Sequence, residues 1–119
     1  MELTRTARVL AAAFGGSGVL HLVRPRTYEW LVPPELGAAR AWVHVSGVAE
    51  IGTAGLTAVP STRRAGGWAA AGLLVAFVPA HLHTFRVVPR RALPMTVAAV
   101  RLLLQAPLVR VARLVARGR

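Results

Sequence analysis

The sequence predicts an all-α protein: a four-transmembrane-helix bundle running up-down-up-down, with a short interfacial segment between helices 1 and 2. Three observations lead there. Of the 119 residues 55% are hydrophobic, yet the formal net charge is +11, and a chain this short cannot enclose so many apolar residues in one aqueous core, so they must face lipid. Four apolar stretches, at about 7–23, 41–59, 65–85 and 93–115, each come near the roughly 20 residues that cross about 30 Å of hydrocarbon. The connections between them are short and carry helix breakers, as antiparallel neighbours require. The whole chain, 1–119, reads as a single integral membrane domain.

The first stretch follows Arg5 and Arg8 and runs through His21 into Arg24-Pro25. It reads as a retained helix and not as a cleaved leader, because no small-x-small site leads into a polar segment. The connection after it, Tyr28-Glu29-Trp30-Leu31-Val32-Pro33-Pro34, is aromatic and apolar enough to lie in the interface as a short helix or re-entrant lid over the histidine-bearing end. The second stretch ends at Val59-Pro60-Ser61. The third contains Pro79 and ends before Val88-Pro89, and the fourth begins beside Leu93-Pro94 and contains Pro107. Pro79 and Pro107 are expected to kink their helices by removing a backbone donor. Small residues supply close helix contacts: Gly15, Gly16 and Gly18 in the first helix, Gly47 and Gly55 in the second, Gly67 and Ala71 in the third. The same faces serve internal packing or homo-oligomerisation equally well. Tyr28, Trp30, Trp42 and Trp68 fall near span ends, as an aromatic belt would.

Composition excludes several functions. With no cysteine the chain has no thiol relay, disulfide exchange, iron–sulfur ligation or Cys-type zinc site. All 15 cationic residues are arginine, and they sit in small groups between apolar runs, which is a membrane-flank pattern and not a nucleic-acid face. Arg5, Arg8, Arg63, Arg64, Arg110, Arg113, Arg117 and Arg119 fall on the side of the termini, against Arg24, Arg26, Arg40, Arg86, Arg90 and Arg91 on the other. The excess places both termini in the cytoplasm of a multi-pass protein of the inner membrane.

The candidate site comes from polar residues inside the apolar runs. Glu50 lies mid-way along the second stretch, and Arg101 and Gln105 lie four apart, on one face, inside the fourth. A lone charge at a helix centre costs about 2.5 to 3.5 kcal/mol on insertion scales, a cost two opposite charges share by meeting. At 1.5 Å per residue Glu50 and Arg101 are roughly level, so a Glu50–Arg101 pair or a water-bridged version of it is expected, with Gln105 adding hydrogen bonds. His21, His44, His81 and His83 all belong to the same leaflet. No metal site is expected, because His81 and His83 are about 200° apart around a helix. His21, His44, Glu50, His81, Arg101 and Gln105 thus form either a structural polar plug or a ligand-binding cluster, with no catalytic residue assignable.

Gly18-Val19-Leu20-His21 with Pro25, Tyr28 and Val32-Pro33-Pro34, then Ser46-Gly47-Val48-Ala49-Glu50, Pro60 to Trp68, Pro79-Ala80-His81 and Arg101-Leu102-Leu103-Leu104-Gln105 together resemble the DoxX-like family of small four-helix bacterial membrane proteins. The resemblance covers about Arg8 to Val109. It implies that His21, Pro25, Tyr28, Pro33, Gly47, Glu50, Arg101 and Gln105 are signature positions, with Pro34 completing the loop. The chain departs from the family at Leu22, where Phe is usual, at His81, where Asn is usual, and at Leu103, where Pro is usual. Relatives of that name include a quinone-reducing subunit and membrane partners of oxidative-stress enzymes. The resemblance therefore implies a non-enzymatic membrane component docking a redox or stress-response protein. The alternatives are a quinone- or small-molecule-binding oxidoreductase subunit and a small oligomeric transporter. Quinone is the cofactor class left open.

Overall fold

The structure, a computed structural model, describes residues 3–118; Arg119, counted above, lies outside the described residues. Those residues are helical with no strand. In chain order the α-helices are α1 (Leu3–Val23), α2 (Arg26–Glu29), α3 (Ala39–Ala58), α4 (Arg63–Ala76), α5 (Val78–Val87), α6 (Ala92–Leu103) and α7 (Gln105–Ala116), with single 3-10 turns at Pro34–Leu36 and Pro60–Thr62. The expected prolines set many of these limits. Pro25, Pro60 and Pro89 follow helix ends, and Pro79, Pro94 and Pro107 each fall in the first turn of a new helix, where the missing N–H had no intrahelical partner to lose. The kinks expected at Pro79 and Pro107 are accordingly short breaks at Phe77 and Leu104.

Three segments are long and apolar enough to cross a membrane: Arg5–Val23, Pro60–Val87 and Ala92–Ala116, with mean hydropathies of 1.3, 1.5 and 1.6. The second expected span, carried by α3, is not among them. His44, Ser46, Glu50, Thr53 and Thr57 dilute it, yet Glu50, Thr53 and Thr57 are buried. The two threonines donate to carbonyls one turn back, Thr53 to Ala49 at 2.8 Å and Thr57 to Thr53 at 2.8 Å, so their hydroxyls are satisfied within the helix.

Packing joins the helices in antiparallel pairs. Gly15 faces Ala54 and Gly18 faces Gly47, which sets α1 against α3. A Cβ on Gly18 would stand 2.7 Å from the Gly47 carbonyl, and one on Gly47 would stand 2.8 Å from the His21 Cβ; only glycine permits this crossing. At the other end Gly66 lies against the Thr57 backbone and Gly67 against the Ala116 backbone, joining α4 to α3 and to α7. Gly16 and Gly55 have nothing nearby, so they are not contact residues. The buried apolar cluster sits at this same end, built from Ala7, Leu10 and Phe14 of α1, Ala70, Ala71 and Leu74 of α4, and Ala112 and Val115 of α7. By contrast, Ala98 is the one buried residue of α6, and Leu103 is 72% exposed. So many large apolar side chains face outward, among them Val45, Val48, Val75 and Leu93, that the surface is unsuited to water.

Candidate functional site

The α1–α3 crossing brings polar groups together directly above it. Ser17 and His21 are one turn apart on α1, and Gly47 opposite them lets Glu50 of α3 approach. Ser17 Oγ lies 3.0 Å from Glu50 Oε1 and 3.2 Å from Oε2, donating to the carboxylate. His21 Nδ1 lies 2.7 Å from the Ser17 carbonyl and 3.1 Å from Glu50 Oε2. A carbonyl only accepts, so Nδ1 carries the proton, and Nε2 is left as the position that accepts when the ring is neutral and donates when it is charged. Glu50 is only 3% exposed, and with Ser17 and His21 both aimed at it the carboxylate is well supplied with donors.

These groups form one wall of a cavity of about 210 Å³. His81 of α5 and Arg101 of α6 also line it, and Tyr28, Trp42 and Phe77 give it aromatic sides. The break at Phe77 lies at this cavity, and α5, starting just after it, carries His81 to the lining. The connection between α1 and α3 closes the top, with Leu31 and Val32 among the lining residues. Tyr28 stacks on the His21 ring with centroids 3.9 Å apart and planes 12° apart. The lid is held by two ion pairs, Arg40 to Glu29 at 2.6 Å and Arg86 to Glu35 at 3.0 Å. Both terminal nitrogens of Arg86 donate to Glu35, and this guanidinium holds the Glu35 carboxyl below its ordinary value. The lid returns to α3 through Gly37 and Ala38, both at positive φ, 61° and 45°. Ala38 is there without glycine's freedom, at a cost of about 1 kcal/mol.

Some expected site residues meet and others do not. His21, Glu50, His81 and Arg101 share the cavity. The direct Glu50–Arg101 ion pair is absent: Glu50 is engaged from its own side by Ser17 and His21, and Arg101, on the peripheral α6, has neither a hydrogen bond nor an ion pair among the described residues. His44 is half-buried outside the cavity, because it points away from the Val43–Gly47–Glu50 face. Gln105 was expected to add hydrogen bonds, but it lies beyond the break at Leu104, its Oε1 buried without a partner. His83 lines a separate groove with Pro33, Glu35 and Arg86. Among the described residues no three His, Asp or Glu side chains gather as a metal would need. Of the loop positions, Tyr28 faces the cavity and not a membrane belt, Pro33 is buried, Pro25 is half-buried and caps α2, and Pro34 opens the 3-10 turn. The expectation omitted Ser17, whose spacing of four from His21 was its only signal.

Helical spans enclosing a polar cavity define this as an all-helical protein with membrane-length segments. Within that class, residues 10–116 match a domain family of unknown function, DUF8561, and the chain belongs to it. No curated protein and no solved structure matches the chain.

Proposed function

We propose that this chain is a DoxX-like, four-span protein of the inner membrane, both termini cytoplasmic, whose cavity opens toward the outer leaflet and binds the polar head of a lipid-soluble small molecule, with quinone the first class to test. Support for α3 as the fourth span comes from its two faces: Glu50 turns inward onto α1 and Thr57 onto α4, with Thr53 buried, and Val45, Val48, Ile51 and Leu56 turn outward. The antiparallel contacts of α1 with α3, α3 with α4, and α4 with α7 fit an up-down-up-down course. The longest dimension, 43 Å, fits a bilayer of about 40–45 Å including headgroups.

The observation that carries the ligand reading is Arg101, a guanidinium with no hydrogen-bond or ion-pair partner among the described residues, in the same cavity as the Glu50–His21–Ser17 cluster. A structural plug satisfies its own members; here one wall is satisfied and the facing cation is left for something else. The cavity volume of about 210 Å³ is below the roughly 300–1,000 Å³ that encloses a drug-sized ligand, so it suits a headgroup whose tail stays in lipid. Arg101 and His81 would hold an acceptor oxygen, the aromatic sides would hold a planar ring, and His21 would meet a second polar group. A component that only docks a partner protein, the other reading, has no use for an arginine left unpaired among the described residues and facing the cavity.

Mass spectrometry of small molecules extracted from gently purified protein tests this, with Arg101→Ala and Glu50→Gln alongside. A quinone or other polar-headed molecule retained by the wild type and lost from Arg101→Ala is the expected result. Bulk lipid alone in every sample would return the cluster to a structural role and direct attention to protein partners.

A further inference from the structure

The end of the bundle opposite the cavity carries its own unsatisfied charge. Arg63 and Arg64 are used there on helix-end carbonyls, Arg63 donating to Thr57 at 3.0 Å and Arg64 to Ala116 at 3.1 Å. Arg5, Arg8, Arg110, Arg113 and Arg117 are different: all five are exposed, and none has a hydrogen bond or ion pair among the described residues. Ala7 packs in one buried cluster with Ala112 and Val115, so the start of α1 and the end of α7 lie side by side. Arg110, Arg113 and Arg117 follow a three-then-four spacing, which makes one stripe, and it faces away from the buried Ala112, Val115 and Ala116. The described carboxylates are elsewhere: Glu29 and Glu35 hold the lid and Glu50 faces the cavity. Exposed Val9 follows Arg8 on α1, and exposed Leu114 stands beside the stripe, between Arg113 and Arg117 on α7. Cations interleaved with exposed apolar side chains suit a boundary between hydrocarbon and an anionic layer, where long side chains extend to the headgroups.

We infer that this two-helix face binds the headgroups of anionic phospholipids, with the α7 stripe and the α1 pair as guanidinium clamps on phosphate. The inference rests on the membrane reading above but not on any cavity ligand. Forked guanidinium donors match phosphate oxygens in pairs, and an arginine near an anionic surface strengthens attraction about fivefold.

The test places the full-length protein in nanodiscs of equal parts phosphatidylglycerol and phosphatidylcholine and reads retained lipid by native mass spectrometry. The wild type should retain phosphatidylglycerol selectively, and the Arg110→Gln, Arg113→Gln, Arg117→Gln triple variant should lose that selectivity. A companion triple at the cavity end, Arg24→Gln, Arg26→Gln and Arg90→Gln, should keep it. Equal retention of both lipids by the wild type overturns the proposal, as does selectivity that survives the α7 triple or disappears only in the companion. Should the triple not fold, Arg113→Gln and Arg117→Gln singly carry the test, each expected to lower selectivity about fivefold. An acidic protein lost from the α7 variant with lipid retention unchanged would assign the face to that protein instead and overturn the lipid assignment. Failure of the wild type to partition into membranes would sink the membrane reading itself, a result separable from all of these.

Discussion

At the basic end the helices meet through alanine, valine and glycine, and the few polar donors close helix-end carbonyls; at the cavity end they meet through serine, histidine and glutamate around a space. Val115 is 0% exposed at the first, while the second keeps a cavity beneath a lid held by ion pairs. Only the first end therefore resists change in the manner of a close-packed core. The second is held by a small number of directed bonds, so it leaves room for a ligand at a cost in packing.

Substitutions at the two ends break or sharpen this contrast. The largest effect is expected at the packed end. Gly67→Leu places a side chain where the Ala116 backbone lies, and overpacking against backbone should cost about 3 kcal/mol, read as a lowered unfolding midpoint in detergent; a wild-type midpoint would refute the close approach. At the cavity end Glu50→Gln keeps an acceptor for Ser17 but removes the charge facing His21, for an expected loss of about 1–2 kcal/mol in the same measurement. Arg101→Ala removes no protein bond, so its midpoint should stay within about 0.5 kcal/mol of wild type, even as ligand retention falls. A strongly destabilised Arg101→Ala would mean the arginine is structural after all.

The smallest effect concerns the lid. Arg86 lowers the Glu35 pKa in the folded protein, so the pair's contribution is present above the ordinary value of 4.5 and is lost as pH falls through the lower folded value. Both partners are exposed, which keeps this contribution small. Glu35→Gln should flatten the acid side of the melting profile and leave the neutral side nearly unchanged; an acid limb identical to wild type would remove the pair from the account.

Helix content and proline-defined limits were legible in the sequence, because proline acts locally on the residues beside it. That Glu50 and Arg101 come to one cavity was legible too, since counting residues along each helix had brought them near each other. Which group Glu50 would bond was not: that depended on Gly18 and Gly47 drawing α1 and α3 together, a contact between residues far apart in the chain that gave Ser17 and His21 precedence over Arg101. His44 was misplaced for a related reason. Its direction around α3 was set by the glycine face turned to α1. Gln105 was expected to continue the Arg101 face, and the break at Leu104, upstream of Pro107, interrupted that continuity.

The Glu35–Arg86 bond joins residues 51 positions apart, and this has a consequence for how the protein is made. The lid leaves the ribosome well before its latch, by about 3 to 10 s at ordinary synthesis rates, and Arg101 follows later still. During that interval α1 and α3 can already cross at their glycines and pair Glu50 with Ser17 and His21, burying the carboxylate early. The cavity gains its remaining walls only once the later helices arrive, so an interrupted chain would hold its acidic group safely while having no finished site to fill.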